Sequence, residues 1–301
     1  MTEKIWGEHS GEVLETVGDF DVIDCRGCGF RHVVPLPTTD ELSKVYREDY
    51  YATEKPLYLE QNAEDLAWWN LAYRDRFDSY ERNLPAGRRR ILDVGSGPGS
   101  FLLHGRDRGW QVQGIEPSRQ SATHSRELGL PIIEEFLDDA LAASLDPFDV
   151  IHLSQVLEHI PAPEQMLRCI NGLIAPGGLI HVIVPNDFNP FQLALRGAGL
   201  RPWWVAPPHH LNFFDFNSLS ALLERCGFIV LERETSFPID MFLLMGDNYI
   251  DDATLGRTCH GRRKNLELNL NAAGMNPLKR QLFRAMAELG IGREAQILAR
   301  K

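Results

Sequence analysis

The sequence predicts an α/β fold in which a mostly parallel β-sheet is covered by helices on both faces, with an N-terminal extension and a C-terminal helical insertion. Three observations support this prediction. From residue 90 onward, short apolar strands alternate with amphipathic helices, a pattern typical of βαβ units. A glycine-rich turn follows the first of these strands and begins a helix. Residues 1–57, by contrast, have no helical periodicity and contain short extended pieces.

The composition is that of a globular protein. Of the 301 residues, 44% are hydrophobic and 24% are charged, which excludes extended disorder and a fibrous chain. Asp and Glu outnumber Lys and Arg by 42 to 31, and the net charge of −11 argues against nucleic acid as a partner. The sequence has no apolar run long enough for a membrane span, and its first residues lack the basic and apolar regions of a signal peptide, so we expect neither. Five cysteines without a disulfide pattern predict a reduced protein, so we expect a cytoplasmic location.

The predicted core begins with a helix over residues 60–82, in which apolar and aromatic side chains share one stripe. The stripe consists of Leu66, Trp69, Tyr73, Phe77 and Tyr80. Five strands follow in order: Ile91–Val94, Val112–Ile115, Ile132–Ile133, Val150–Leu153 and Leu179–Val184. A helix is predicted over 118–129, and another begins at Pro163, where a first helical turn tolerates proline. Pro176-Gly-Gly178 is expected to end that second helix.

Residues 186–214 interrupt the alternation with prolines and aromatic residues, and we interpret them as an insertion. A helix over 218–226 is predicted to follow, with Asn217 or Ser218 as its N-cap and Gly227 just beyond its end.

The last strands of the sheet are predicted on either side of a second insertion. Phe228–Leu231 is the sixth predicted strand and Gln296–Ala299 the seventh, while 237–290 between them is mostly helical. The predicted division of the chain is an N-terminal extension over 1–57, a core over 58–236, and a helical insertion with the final strand over 237–301.

The glycine-rich turn, Asp93-Val-Gly-Ser-Gly-Pro-Gly99, predicts a cofactor site. Glycines allow the backbone to approach a ligand that a Cβ atom would repel. Glu116 ends the next strand, where a carboxylate can accept both hydroxyls of a ribose. A dinucleotide and S-adenosylmethionine both fit this arrangement. The dinucleotide pattern requires a third glycine or alanine where this chain has Ser100, and it leaves Asp93 unexplained.

The same residues resemble the motifs of class I S-adenosylmethionine-dependent methyltransferases. Asp93-Val-Gly-Ser-Gly-Pro-Gly99 is similar to motif I of that family, and Glu116 matches its ribose-binding acid. Phe148-Asp-Val-Ile151 with Val156-Leu-Glu-His159 resembles the fourth strand and its loop, and Ala175-Pro-Gly-Gly178 resembles the turn before the fifth strand. The resemblance implies a Rossmann-like, seven-stranded sheet whose last strand runs antiparallel beside the fifth.

The resemblance also implies which residues contact the cofactor. In that family the glycine loop holds the methionine end, and residues after the third strand, here Phe136 and Leu137, flank the adenine. Tyr50 and Tyr51 are candidates to cover the cofactor because an aromatic face suits a sulfonium cation, although core packing would explain them equally. The predicted cofactor-binding residues are Asp93, Gly95, Ser96, Gly97, Gly99, Glu116, Phe136, Leu137, Ser154 and Tyr51.

Cys25-Arg-Gly-Cys28 has the spacing of half a zinc site, which needs four ligands. Besides carboxylates, only His9 and His32 are nearby residues of a ligand type. The segment resembles the N-terminal extension of sugar and natural-product methyltransferases, in which an upstream Cys-x-x-Cys completes a zinc ribbon. This chain has no upstream cysteine, so we predict a metal-free remnant held by strand pairing and assign no metal ligands. Zinc binding is the alternative.

Several titratable residues are candidates to act on the methyl acceptor: Glu158, His159, Asp187, His209 and His210. Glu158 and His159 follow the fourth strand, at the carboxyl edge of the sheet where ligands bind. Quinone-biosynthesis O-methyltransferases show a similar Glu-x-x-Glu-His pattern thought to hold a divalent metal, but the first position here is Gln155. Hydrogen bonding to the loop backbone is the alternative role for Glu158 and His159.

His210 is the principal catalytic candidate. Pro207-Pro-His-His-Leu-Asn-Phe-Phe214 resembles the acceptor-side segment of the sugar-type group, in which a histidine before Leu-x-Phe-Phe lies near the transferred methyl. His210 has that position, and we predict it to be a general base or an acceptor clamp, with His159 and His209 as further catalytic candidates. A structural role is the alternative.

The predicted function is therefore S-adenosylmethionine-dependent methyl transfer to a small molecule, most plausibly a hydroxyl of a sugar, nucleotide-sugar or glycan. Arg262-Arg-Lys264 lies in the second insertion and marks either a solvated helix face or a contact for an anionic acceptor. The rival interpretations are an NAD-type oxidoreductase and a non-catalytic S-adenosylmethionine-binding protein. The oligomeric state is left open.

Overall fold

The computed structural model describes residues 2–37 and 64–301, which form two β-sheets with helices packed around the larger one. The predictions that concern Tyr50, Tyr51 and the start of the first helix lie outside the described residues. In chain order the strands are β1 (Glu3–Trp6), β2 (His9–Val17), β3 (Phe20–Cys25), β4 (Phe30–Val34), β5 (Arg90–Val94), β6 (Gln111–Ile115), β7 (Ile132–Ile133), β8 (Phe148–Ser154), β9 (Ile174–Pro185), β10 (Asn212–Phe213), β11 (Ile229–Glu234) and β12 (Glu294–Arg300).

The helices alternate with these strands in the core and follow one another in the C-terminal insertion. They are α1 (Leu66–Asn83), α2 (Ser100–Asp107), α3 (Arg119–Glu127), α4 (Asp139–Ser144), α5 (Pro163–Leu173), α6 (Pro190–Gly197), α7 (Phe216–Arg225), α8 (Asp240–Leu244), α9 (Ala253–Ala272) and α10 (Asn276–Glu288). Among the described residues, no helix is both long enough and apolar enough to span a membrane.

The larger sheet confirms the predicted fold class. Its strand order is β11-β12-β9-β8-β5-β6-β7, and β5 to β9 run parallel to one another. The final strand, β12, pairs antiparallel with β9 on one side and β11 on the other. Central residues such as Leu92, Ile151 and Ile180 are fully buried. Each side chain of this size stabilises the fold by about 1.5–3 kcal/mol when removed from water.

Three local predictions need correction. Helix α7 begins at Phe216, and its N-cap is Asp215 rather than Asn217 or Ser218. The Asp215 carboxylate accepts hydrogen bonds from the backbone N–H groups of both predicted caps, at 3.0 and 2.8 Å. Helix α5 ends at Leu173, before the predicted stop, because Ile174 already pairs with Phe148 as the first residue of β9.

The predicted stripe of α1 is also only partly correct. Tyr73, Phe77 and Tyr80 are buried against α2 and the sheet, but the side chain of Leu66 at the start of the helix is 39% exposed. Trp69 is half-buried.

The N-terminal extension is a regular antiparallel sheet, β1-β2-β3-β4-β10, and not a set of isolated extended pieces. Its last strand belongs to the insertion 186–214, because Asn212 pairs with His32 and Phe213 with Arg31. Apolar side chains of the two segments share one core, which contains Val22, Val33, Phe188, Trp204, Val205, Leu211 and Phe213. The insertion is therefore held between the two sheets.

The basic residues of the C-terminal insertion, Arg262-Arg-Lys264, contact other residues of the same chain. Arg262 forms an ion pair with Asp247 at 2.6 Å, and Lys264 forms one with Asp65. The guanidinium of Arg263 lies over the Trp68 ring, 4.8 Å from its centroid, and is buried. These contacts favour a structural role for the three cations over an anion-binding role.

Candidate functional site

A cavity of about 1330 Å³, counted to its open mouth, lies at the carboxyl ends of β5, β6 and β8. This is the edge of a parallel sheet at which ligands bind, because the loops after neighbouring strands diverge there. The predicted cofactor residues that line it are Asp93, Gly95, Ser96, Gly97, Glu116, Phe136, Leu137 and Ser154. Gly99 is not among the lining residues, and Tyr51 lies outside the described residues.

The glycine loop has the backbone that only glycine adopts readily. Gly95, Gly97 and Gly99 have φ angles of 73°, 52° and 79°, all in the left-handed region. A Cβ atom at Gly95 would lie 2.5 Å from a methyl of Val156, and one at Gly99 would lie 2.5 Å from a methyl of Leu130. Gly99 therefore shapes the start of α2, while Gly95 and Gly97 leave the cavity floor open.

Glu116 is held at the cavity by backbone donors. One carboxylate oxygen accepts from the N–H of Gly97 and the other from the N–H of Ser118, each at 2.8 Å. The side chain is 4% exposed, and this burial raises the pKa of Glu116 to about 7 against the opposing effect of the two N–H donors. Each oxygen keeps a further lone pair, so the carboxylate can also accept from a diol.

These residues fit the adenosyl and methionine parts of S-adenosylmethionine. The Ser96 hydroxyl is buried at the cavity wall and has no hydrogen-bond partner among the described residues. An unsatisfied buried hydroxyl is costly, so a polar ligand group at this place would be stabilised. The loop without Cβ atoms, the buried carboxylate and this hydroxyl all face one cavity.

A buried hydrogen-bonded chain below the glycine loop was not predicted from the sequence. Asp93 Oδ1 lies 2.7 Å from His152 Nδ1, and His152 Nε2 lies 3.3 Å from a guanidinium nitrogen of Arg76. Because Arg76 can only donate, Nε2 accepts, and Nδ1 carries the hydrogen that is donated to Asp93. Burial lowers the pKa of His152 well below its usual value, which agrees with a neutral ring, and burial raises the pKa of Asp93.

The hydrogen bonds from Asp93 through His152 to Arg76 explain why an aspartate precedes the glycine loop. Phe101 of α2 stacks on the His152 ring at a centroid distance of 4.0 Å and completes its enclosure. The sequence signal was available, since His152 is the one ionisable residue within the apolar run of Val150–Leu153. Trp69, Tyr73 and Arg76 of α1 also line the cavity, although the sequence indicated only a packing role for that helix.

The acceptor-side candidates meet at the other end of the cavity. His159 lines the cavity, and its Nδ1 lies 2.6 Å from the carbonyl oxygen of His209. A carbonyl only accepts, so Nδ1 carries the hydrogen and Nε2 is the atom that can take a proton. Glu158 Oε1 lies 3.7 Å from that Nε2, and a carboxylate there would stabilise the protonated ring.

His210 packs edge-on against His159, with ring centroids 5.0 Å apart and an interplanar angle of 75°. Neither His209 nor His210 is among the residues that line the cavity. A metal ion could be held by three residues here. Their ligand atoms all lie within 4.8 Å of one another, and the residues are Glu158, His159 and His210. Gln155, the residue that departs from the quinone-type pattern, has a left-handed φ of 59° in the same loop.

Two hydrogen-bonded residues fasten the insertion to this loop. Leu211 donates its N–H to the Glu158 carbonyl at 2.8 Å. The Asn212 amide donates to the carbonyls of Leu157 and Ile160, at 3.1 and 2.8 Å. Asn212 is almost completely buried. The insertion therefore positions the histidines by hydrogen bonds to the carbonyls of this loop, which no sequence pattern indicated.

Asp187 lies away from this group. It is buried between β9 and α6, is not among the cavity residues, and donates its backbone N–H to the Phe214 carbonyl. Burial first, and then the nearby charge of Asp240, raise the pKa of Asp187 to about 8. Its surroundings favour a neutral, structural carboxyl.

Comparison with known proteins agrees with this geometry. A family profile described as "Methyltransferase domain" matches residues 59–233. The chain is 32% identical over 130 residues to a ubiquinone biosynthesis O-methyltransferase of Chromobacterium violaceum, covering 41% of this chain and 56% of that protein. It is 33% identical over 169 residues to the Ralstonia nicotianae protein of the same name, covering 49% and 69%. The chain thus spans little more than half the length of the first of these relatives.

Solved structures show the same fold at low sequence identity. An S-adenosylmethionine-dependent methyltransferase from Archaeoglobus fulgidus superimposes with a TM-score of 0.50 at 17% identity, covering 77% of this chain and 92% of that chain. The plantazolicin methyltransferase in complex with S-adenosylhomocysteine superimposes with a TM-score of 0.51 at 12% identity, covering 86% and 93%.

Proposed function

We propose, from the premise that this chain belongs to the methyltransferase-domain family, that it transfers a methyl group to a hydroxyl oxygen of a small molecule. The methyl donor is S-adenosylmethionine, whose sulfonium makes the methyl group electrophilic. One observation carries the proposal: a single cavity extends from the glycine loop and Glu116 to His159. A donor bound at one end and an acceptor at the other would meet within it.

The cofactor would be held by the residues at the β5 and β6 ends of the cavity. We assign Glu116 to the ribose hydroxyls, the Ser96 hydroxyl and the loop from Gly95 to Gly99 to the methionine part, and Phe136 with Leu137 to the adenine. Ser154 lies at the end of β8 and lines the space between the two ends of the cavity. Asp93 supports the loop through His152. Tyr51 stays a prediction.

On the acceptor side, His159 is the residue best placed to take the hydroxyl proton. Its Nδ1–H is fixed by the His209 carbonyl, and Glu158 lies beside its Nε2. General-base assistance of this kind is worth about 10²–10⁴ in rate. His210 does not line the cavity and is assigned the role of packing against His159, whereas His209 contributes through its carbonyl.

Two acceptor classes are compatible with this site. The first is a hydroxyl of a sugar, nucleotide-sugar or glycan, because residues 207–214 resemble the acceptor-side segment of sugar-type methyltransferases. A phenolic hydroxyl is the second, because the relatives are named ubiquinone biosynthesis O-methyltransferases and because apolar side chains of Val156, Ile160 and Met166 line the cavity beside His159. Both need the same proton removal.

The test combines binding and turnover. Calorimetry with S-adenosylhomocysteine should show one site, and its addition should raise the melting temperature while NAD does not. Transfer of a labelled methyl group to panels of sugar and phenolic acceptors should then identify the acceptor class. Stabilisation by NAD alone would indicate an oxidoreductase. Cofactor binding without transfer to any hydroxyl acceptor would indicate a non-catalytic binding protein.

A further inference from the structure

The N-terminal sheet brings together four metal-ligand side chains that are separated along the chain. His9 begins β2, Cys25 ends β3, Cys28 lies in the turn that follows, and His32 lies in β4. One ligand atom from each lies within 4.8 Å of every other. None of these four residues lines the cavity described above.

His32 is oriented as a ligand would be. Its Nδ1 lies 2.9 Å from the Val33 carbonyl, so Nδ1 carries the hydrogen and the lone pair lies on Nε2. That Nε2 is buried and has no hydrogen-bond partner among the described residues, in a side chain that is 2% exposed. A buried lone pair without a donor is costly unless something fills the place. Backbone carbonyls commonly fix metal-bound histidines in this manner.

The other three ligands have spacings close to those around zinc. His9 Nδ1 lies 3.3 Å from the Cys28 sulfur and 3.8 Å from the Cys25 sulfur. Tetrahedral zinc bonded at about 2.0–2.1 Å to nitrogen and about 2.3 Å to sulfur places such a pair about 3.6 Å apart. Both cysteines are free thiols. Gly29 follows Cys28 with a left-handed φ of 73° and donates its N–H to the Cys25 carbonyl, which closes the turn that contains both cysteines.

We infer that His9, Cys25, Cys28 and His32 form a structural Cys₂His₂ zinc site that locks the N-terminal sheet. Two thiols lose their protons to solvent on binding, and the two thiolates neutralise the charge of Zn²⁺. The site has four protein ligands and no open position, which is typical of structural zinc. This inference takes up the alternative of zinc binding that the sequence left open, with His9 and His32 in place of a second cysteine pair.

The zinc site also fastens the acceptor side of the molecule. His32 pairs directly with Asn212 in the β4–β10 ladder, and the Asn212 amide holds the carbonyls on either side of Glu158 and His159. Arg225 of α7 donates to the Cys28 carbonyl at 2.7 Å and adds a second link to the core. Loss of the ion should therefore loosen 209–214 and the loop 157–160, and leave the glycine loop unchanged.

The first experiment measures metal content in the full chain, purified under reducing conditions from zinc-supplemented medium. Elemental analysis should give one zinc per chain for the wild type and for Cys169→Ser, which removes a half-buried cysteine of α5 outside the cluster. Cys28→Ser and His9→Gln each remove one of the four ligands and should each contain clearly less than one zinc per chain. Replacement by Co²⁺ should give a thiolate-to-metal absorption band in the wild type that is weakened in Cys28→Ser.

The second experiment separates metal loss from misfolding. His9→Gln alters a half-buried residue at the first position of β2, and undiminished S-adenosylhomocysteine binding would show that its core is folded. Hydrogen exchange in 209–214 should rise in this variant and in the chelated wild type. The inference is overturned if reconstituted wild type binds neither Zn²⁺ nor Co²⁺, if Cys28→Ser retains wild-type zinc, or if thiol titration shows a Cys25–Cys28 disulfide.

Discussion

The cofactor edge of the large sheet and the cysteine–histidine cluster of the N-terminal sheet are both built from loops and strand ends, but they are assembled differently. The cofactor edge takes its loop from one run of seven residues and its acid from the next strand. The cluster takes ligands from three strands and a turn, and only the Cys25–Cys28 pair is local. A site carried by a contiguous motif is readable in the sequence, whereas a site carried by strand register is not.

The acceptor side, like the cluster, is assembled from residues that are distant in the chain. A substitution there is expected to have the largest effect on activity. His159→Ala should lower kcat by about 10²–10⁴, because the proton acceptor is lost, with little change in cofactor affinity. His210→Gln retains packing and hydrogen bonding and should cost much less. Steady-state kinetics on the identified acceptor checks this. If His210→Gln is as slow as His159→Ala, the roles of the two residues are exchanged; if both variants are near normal, neither is a base.

The cofactor edge should bind S-adenosylmethionine more weakly when Glu116 is replaced. Glu116→Ala removes charge-assisted hydrogen bonds to the ribose and should weaken S-adenosylmethionine binding by about 2–4 kcal/mol, or about 30–1000-fold. Glu134→Ala is the matched control, because Glu134 follows the neighbouring strand but pairs with Arg126 at the surface at 2.6 Å. Calorimetry that shows equal affinity for the two variants would remove Glu116 from the site.

The raised pKa of Glu116 sharpens this test. With a pKa of about 7, the side chain is ionised above neutrality and protonated below it. Lowering the pH from 8 to 6 reduces the ionised fraction about tenfold, so cofactor affinity should fall about tenfold over this range. Glu116→Gln should bind more weakly but with a flat pH profile.

The stability of the cofactor-free protein should follow the opposite trend. A carboxyl pKa that is higher in the folded chain than its usual 4.5 means that the folded state binds the proton more tightly than the unfolded chain. The Glu116 contribution to the free energy of unfolding is therefore largest below about pH 4.5 and declines as the pH rises to about 7. Chemical denaturation of the wild type and Glu116→Gln across this window measures the difference.

The smallest expected effect is on stability and concerns Asp215, which links a helix of the core to the N-terminal sheet. Asp215 caps α7 and also pairs with Arg31 of β4 at 3.0 Å, a partly exposed ion pair. Asp215→Ala should reduce the free energy of unfolding by about 1 kcal/mol, mostly through loss of the cap. Asp215→Asn keeps a capping side chain and should be nearly neutral. A larger loss for Asp215→Asn would mean that the ion pair, and not the cap, joins the sheets.

Much of the fold could be predicted because it follows from local pattern. The two-residue strand Ile132–Ile133 occurs as this pattern predicts, and the antiparallel final strand beside β9 occurs as the family resemblance implies. The errors have a common cause. Asn217 and Ser218 are good capping residues, but Asp215 lies two positions earlier and its carboxylate reaches both of their N–H groups. Ile174 belongs to β9 because a neighbouring strand was available to pair with it, which helical periodicity cannot reveal.

The sequence alone determined the parallel core, the glycine loop and Glu116, because strand, turn and helix there are adjacent in the chain and their chemistry is set by spacing. Tertiary structure alone decided which distant groups meet. Arg76 and His152 are 76 residues apart, and His159 and the His209 carbonyl are 50 residues apart. His9, two cysteines and His32 converge only because the register of β2, β3 and β4 aligns them. Such contacts depend on the closure of long loops against the gain from packing, a balance that no local spacing records.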